Sequence, residues 1–297
     1  MVESDGWARK LFMAFTYIVI TCMALSCLLP IVHTIALSFS SKSAAMAGMV
    51  TFFPVRFTTT AYRAILEDRQ YFISFFVSVL RVLLGGSLNL LFTILMASPL
   101  SKGKQYFPKR NVYMWYMVFT MLFGGGLIPF YILMSKLHLM DTIWVLVLPG
   151  AVPIYNIIIL MNYFKGLPGE LDDAARIDGA NPWVVLFRIF VPLAVPCLAT
   201  VTLFSMVGHW NSFFDGIIYI NSPDRLPLQS YLKQFIIDTN AHSTMNMSQE
   251  QLQRIKELSS KNFNAAKLFV SMVPILAVYP FLQKYFVSGL VLGSVKG

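Results

Sequence analysis

Six apolar runs, at roughly 11 to 38, 71 to 100, 112 to 134, 142 to 164, 190 to 220 and 264 to 290, punctuate this chain of 297 residues. Each reaches the about 20 helical residues needed to cross a hydrocarbon core ~30 Å thick, and a chain patterned in this way folds in lipid. The strands of a membrane barrel would alternate every second residue over about ten positions, whereas these runs are apolar on nearly every face. The expected fold is therefore all-α: a polytopic membrane protein with six transmembrane helices in one domain over residues 1–297.

Composition agrees. Only 12% of the residues are charged against 57% hydrophobic, about half the ~25% charged share of soluble domains. The 23 Lys plus Arg and 14 Asp plus Glu lie between the apolar runs, and no Lys/Arg block interleaved with aromatics marks a nucleic-acid surface. Anionic lipid headgroups account for the excess more simply. Cys22, Cys27 and Cys197 show neither CxxC nor Cys/His spacing, so no metal site is expected and they read as small apolar fillers. The first run follows Arg9 and Lys10 and outlasts the ~7 to 15 residue core of a signal peptide, which makes it a retained anchor. Ala24 stands where a lipoprotein box ending at Cys27 would require Leu.

Orientation follows from the short loops. Residues 101 to 111 carry Lys102, Lys104, Lys109 and Arg110 with no acid, while the loop near Lys136 and Asp141 has one charge of each sign. The positive-inside rule places 101 to 111 in the cytoplasm, and six spans then put both termini there too, in a multi-pass plasma-membrane protein. Three connections exceed plain turns: about 40 to 70 and 221 to 263 outside, and 165 to 189 inside.

The inner connection reads as two short helices joined by a sharp turn. Glu170, Asp172 and Asp173 fall in a first turn, where carboxylates complement the helix dipole. Asp172 also precedes Arg176 by four residues, the favourable pairing order. Gly179 suits the left-handed stop; Asn181 serves as N-cap with Pro182 at the first helical position, and an apolar helix runs from Trp183 to Pro192. Ala174 and Ala175 between acidic neighbours fit a docking knob for another protein. On local physics alone the simpler reading is an interfacial loop stabilised by its own caps.

These residues also carry a family resemblance. Asp173-Ala174-Ala175, Asp178-Gly179-Ala180 and Phe190 to Pro192-Leu193 resemble the signature loop of permease subunits in ATP-binding-cassette importers. The carbohydrate branch is similar at further points: Phe53-Pro54 with Phe57-Thr58 and Tyr62, Pro99-Leu100-Ser101-Lys102, Gly124-Gly125-Gly126-Leu127-Ile128-Pro129, and the ending Gly293 to Gly297. Asp173 stands where that family commonly has Glu, one methylene longer. The resemblance implies a type I importer permease fold and a subunit that is no enzyme, importing sugars, oligosaccharides above all. It implies as partners a second homologous permease, two copies of a cytoplasmic ATPase and an extracytoplasmic solute-binding protein. ATP and Mg belong to the ATPase, and this chain itself carries no cofactor. Glu170, Asp173, Ala174, Ala175, Asp178, Gly179, Ala180 and Pro182 would couple to the ATPase, with Lys296 of the tail as a further contact.

The absences are consistent with that division of labour. No GxxxxGK[ST] phosphate loop, GxSxG elbow or HExxH occurs, and His33, His138, His209 and His242 are scattered. An ion-gradient-driven secondary transporter or channel is the alternative, and it would want ionisable groups deep in several spans. Here Arg81 and Asp215 are the clear cases.

In the fifth run Ser205, Gly208, Ser212 and Asp215 fall on one helical face, bordered by His209 and Asn211 and by the aromatics Trp210, Phe213 and Phe214. Such a stripe lines a solute path or glues packed helices together. Asn156, Asn162 and Asn89 are weaker candidates, and Arg81 either snorkels to a headgroup or lines the path. In the outer connection Leu228, Leu232, Phe235 and Ile236 mark one amphipathic helix, and Ser248 with Gln251 opens another.

Overall fold

The computed structural model describes residues 6–240 and 261–294, and among them there is no strand. The chain divides into two compact units, one drawn from Met1–Arg69 and Phe235–Val273, the other from Gln70–Gln234 and Pro274–Gly297.

The first unit opens with α1 (Trp7–Ser38), apolar on every side, whose most apolar stretch has no buried residue. In water such a helix would be untenable; lipid is its solvent. Its end anchors the following connection. Phe39 stacks on Phe57 at 5.4 Å and Tyr62 at 4.7 Å between ring centres, and Ser40 Oγ accepts from Val55 N–H at 3.0 Å. Ser41 caps α2 (Lys42–Met46), accepting from Ala44 N–H, and Gly48 at φ +69° closes it. The connection ends in α3 (Thr60–Glu67).

The second unit starts from α4 (Arg69–Ser101), which inverts the pattern of a soluble helix. Its buried stripe is small and polar, including Ser74, Ser78, Arg81, Gly85, Asn89, Thr93 and Ala97, while Phe76, Leu80, Leu83 and Leu91 point outward. Lipid solvates the large apolar side chains as well as a core would, so close backbone approach and polar pairing decide what goes inside.

Three of the expected spans are broken rather than continuous. α5 (Arg110–Leu122) and α6 (Leu127–Lys136) meet at 108°. The cause lies in Gly124-Gly125-Gly126: Gly126 sits at φ 86°, ψ 166°, a region open in practice only to glycine. α7 (Ile143–Val147) continues as a 3-10 turn over Leu148–Gly150 and meets α8 (Ile154–Gly166) at 43° beside Pro149 and Pro153. After α9 (Glu170–Ile177), the helical stretch of α10 (Pro182–Val184), a π turn over Val185–Phe190 and α11 (Val191–Leu193) meets α12 (Val195–Asn211) at 83°. α13 (Phe214–Tyr219) then forms a separate piece, and α14 (Leu228–Asn240) follows it. Between the breaks one apolar cluster holds Ala97 and Leu100 of α4, Met117 of α5, Leu160 and Phe164 of α8, Ala175 of α9, Leu186 and Phe190 of the π turn, and Val201 of α12.

The last helix, α15 (Lys261–Ser294), contains Pro274 and Pro280. Within the first unit its opening turns carry Lys267, 1% exposed, whose Nζ reaches Asp68 at 2.7 Å and lies over the Phe263 ring, while Asn262 donates to Ser40 O at 3.2 Å.

Candidate functional site

The second unit holds a cavity of about 490 Å³ where α4, the α7–α8 break, α12 and α13 face one another. Of the pathway residues expected from sequence, Arg81, Asn156, Ser205, His209, Phe214 and Asp215 line it together. Trp210 does not: it is 5% exposed, meets the Phe75 ring edge-on and borders a separate apolar pocket with Val79, Met206 and Pro274. Asn211 is exposed and is not among the cavity's lining residues.

The polar wall is built from pairs that join distant segments. Arg81 does not snorkel; it is 3% exposed and its two terminal nitrogens grip both carboxylate oxygens of Asp215. Ser212 Oγ and Gly216 N–H each donate to Asp215 Oδ1 at 2.9 Å, and Arg81 reaches Ser212 O at 3.3 Å. The unwound residues Ser212 and Phe213 between α12 and α13 thus become part of a charged clamp. A second set rises from Asn89. Its Nδ2 donates to Gly150 O at 2.6 Å, which turns Oδ1 toward His209, so the His209 Nε2 at 2.7 Å must carry the proton. Gly85 is required beneath that ring, because a Cβ there would run into the imidazole.

Asn156 and Ser205 show the other reading of the stripe. Asn156 Nδ2 donates to Ser205 Oγ at 3.0 Å and to Val201 O at 3.2 Å, binding α8 to α12 as polar glue on the cavity wall. Phe130, Phe204, Phe214 and Tyr219 supply flat apolar faces next to these polar groups. Sequence reasoning missed Phe130, Phe204 and Tyr219, since nothing in an apolar run distinguishes an aromatic facing a cavity from one facing lipid. The Pro149, Gly150 and Pro153 cluster was the available signal that the fourth run opens a carbonyl to a neighbour.

A second feature stands apart at α9. Gly179 takes φ +73°, Asn181 Oδ1 accepts from Val184 N–H at 2.9 Å, and Pro182 opens the next helix, as the local sequence requires. Glu170, Asp173, Ala174, Asp178 and Pro182 are exposed, and Ala180 is half-buried. Ala175 turns the other way, 7% exposed inside the apolar cluster, so it holds α9 to its own chain and offers no surface. What the knob presents instead is Ile177, 86% exposed, and Trp183 stacked on Phe187 at 6.1 Å, bordered by acids. Asp172 meets Lys102 Nζ at 2.8 Å, which pins α9 to the loop after α4. The Arg176 side chain, Lys296, and the helix start at Ser248 and Gln251 lie outside the described residues.

The turns around residues 219 to 225 are tied by Asp141, at φ +57°. Its carboxylate accepts from the Ser222 hydroxyl and from Ser222 and Asn221 N–H at 2.9 and 3.0 Å, with Arg225 3.6 Å away. The Ser222 hydroxyl, before the other contacts, holds this carboxyl below the usual carboxylate range.

Comparison with known proteins fits this architecture. Residues 71–292 match the family described as binding-protein-dependent transport system inner membrane component. The chain is 35% identical over 289 residues to the polygalacturonan/rhamnogalacturonan transport system permease protein YtcP of Bacillus subtilis (strain 168), covering 97% of this chain and 99% of that one. It is 38% identical over 270 residues to Protein LplC of the same bacterium, covering 91% and 90%. A crystal structure of a bacterial ABC transporter involved in the import of the acidic polysaccharide alginate aligns with a TM-score of 0.84 at 31% identity, over 95% of this chain and 98% of that chain. A helical chain with broken spans around a polar cavity, matched over most of its length, belongs to the inner membrane components of binding-protein-dependent transport systems.

Proposed function

We propose that this chain forms half of the membrane path of an ATP-driven importer of oligosaccharides, with ATP hydrolysed on a partner subunit. The observation that carries the reading is the α9 knob: Ile177 is 86% exposed and Trp183 61% exposed, and Glu170, Asp173 and Asp178 of the same short segment are exposed too. Exposed apolar side chains in an acidic segment fit a groove with an apolar floor and basic rim on another protein. Lys102, Lys104, Lys109 and Arg110 support a cytoplasmic position for this side, with the chain termini on the same side. The groove then belongs to a cytoplasmic ATPase, present in two copies, that supplies ATP and Mg. A second homologous permease completes the path, and an extracytoplasmic binding protein delivers the cargo.

Oligosaccharide cargo is supported by the polysaccharides named for the relatives and by the cavity. A site of about 490 Å³ that sets Phe130, Phe204, Phe214 and Tyr219 beside Asn89, His209, Ser212 and the Arg81–Asp215 clamp offers stacking faces and directed hydrogen bonds, the mixture a sugar ring needs. Movement between two openings requires that nucleotide binding favour one state through contacts it makes only there, and α9 is the element placed to transmit the difference.

The test is ATP-dependent oligosaccharide uptake by the assembled importer in proteoliposomes. Ile177→Asp with Trp183→Ala should lower uptake and substrate-stimulated ATP hydrolysis at least about tenfold, since an exposed hot spot of this kind contributes roughly 2 kcal/mol, with membrane insertion unchanged. Unaltered stimulated hydrolysis, or uptake that follows an ion gradient without ATP, overturns the reading.

A further inference from the structure

The cations around the loop after α4 do not share one environment. Lys102 is answered: its Nζ is paired with Asp172 and lies 4.2 Å from the centre of the Phe190 ring. Lys104, Lys109, Arg110 and Lys165 take part in no ion pair among the described residues. Arg110 begins α5 and Lys165 stands in the last turn of α8. The packing of Met117 in the cluster of Leu160, Met161 and Phe164 brings these helices together. Arg110 is within electrostatic reach of Lys165, and its Nε is buried with no hydrogen-bond partner among the described residues. Like charges held together by apolar packing repel unless an anion lies beside them. The first turn of α5 contains no acid to serve.

The residues after Arg110 indicate the source of the anion. Tyr113, Trp115 and Tyr116 are 52%, 72% and 66% exposed, and the six residues to Tyr116 cover only about 9 Å of helix. Amphipathic aromatics at such a density settle at the headgroup level of a bilayer, which sets the cations at phosphate depth. Lys165 also lines a pocket with Lys102, Asp172 and Asp173, of which Asp172 is taken by Lys102; cations at helix ends at that depth suit an anionic lipid. The exposed aromatics place this face at the bilayer surface and so disfavour an acidic protein as its occupant.

We propose that Lys109, Arg110 and Lys165 form a binding site for the phosphate of an anionic phospholipid headgroup, with Tyr113, Trp115 and Tyr116 setting its depth. Arg110 supplies the planar fork that matches phosphate oxygens, and Lys109 and Lys165 act as point charges beside it. Such a site depends neither on the cargo nor on the ATPase, and its failure to hold lipid would leave the importer reading intact.

The experiment is native mass spectrometry of the purified importer containing the full chain, with phosphatidylglycerol or phosphatidylcholine added. The wild type should retain phosphatidylglycerol preferentially. Arg110→Gln with Lys165→Gln should reduce that preference about 30-fold, the effect of two near-surface cations. Arg110→Lys should recover most of it, and Lys233→Gln, remote in sequence, should change nothing. Should the double variant fail to assemble, Lys165→Gln alone, an exposed position, should lower the preference about fivefold. Equal retention of both lipids by the wild type, or equal retention of phosphatidylglycerol by the wild type and the Arg110→Gln with Lys165→Gln variant, overturns the proposal. Full displacement of the lipid by millimolar inorganic phosphate overturns it as well, by assigning the site to free phosphate.

Discussion

Arg81 and Asp215 show what a single side chain does on the wall of a cavity inside apolar helices. Neither would be tolerated alone in hydrocarbon, yet together, across 134 residues of sequence, they neutralise each other and fix the unwound Ser212–Phe213 step at the cavity wall. Breaking such a pair leaves one charge stranded, whereas removing both does not. Arg81→Gln should therefore lower stability by roughly 3 kcal/mol, and Arg81→Gln with Asp215→Asn should recover more than half of it. Thermal unfolding in detergent, analysed as a double-mutant cycle, checks this, and equal losses in single and double variants would refute it. The sequence placed both residues in apolar runs and set Ser205, Gly208, Ser212 and Asp215 on one face. It could not tell that Arg81 faces Asp215, or that Ser205 is occupied by Asn156, because which way each helix is turned about its axis is decided by its neighbours.

At the scale of elements, the breaks carry the architecture. A run of apolar residues announces that it lies in lipid but leaves its path there open, and the path is set by a few backbone positions. Gly126 is the plainest, since φ 86° with ψ 166° excludes any Cβ-bearing residue without strain. Gly126→Ala should cost about 2 kcal/mol and lower uptake by straightening the 108° bend, while Gly124→Ala, with nothing within 4 Å of an added Cβ, should be milder. Unfolding midpoints and uptake measured on the two variants compare them, and equal effects would contradict this account. The Gly-Gly-Gly motif was visible in the sequence, but its geometry was not, because three consecutive glycines permit many turns and packing selects one. The α9 elbow was more legible. Its first-turn acids, the Gly179 stop, the Asn181 cap and Pro182 are local rules, and they operate in the structure as in the sequence. Ala175 is the exception within it: smallness suggested an open surface, and burial in the apolar cluster that also holds Leu186 and Phe190 reverses that.

The whole molecule responds to acid through the turns where Asp141 gathers residues 219 to 225 beneath one carboxylate. Asp141 N–H donates to Tyr219 O at 2.9 Å, and the carboxylate takes the Ser222 hydroxyl and two further N–H groups. Its folded pKa lies below that of the unfolded chain. The contribution is therefore complete above the unfolded value, near 4, and is lost as pH falls toward and through the folded one. Unfolding midpoints followed from neutral to acid pH should drop for the wild type in that window. Asp141→Asn should start lower at neutral pH, by about 2 kcal/mol, and show a shallower acid decline; parallel profiles would disprove the assignment. By itself the sequence determined the solvent, the helical class, the positions of the apolar runs and the α9 elbow with its caps. These are settled by composition and by interactions within about four residues, which tertiary context had no reason to overturn. The structure alone decided which runs bend, which polar groups meet across the cavity and which alanine turns inward. Those outcomes depend on contacts between residues tens to more than a hundred positions apart, and no local pattern encodes the rotation and spacing that bring them together.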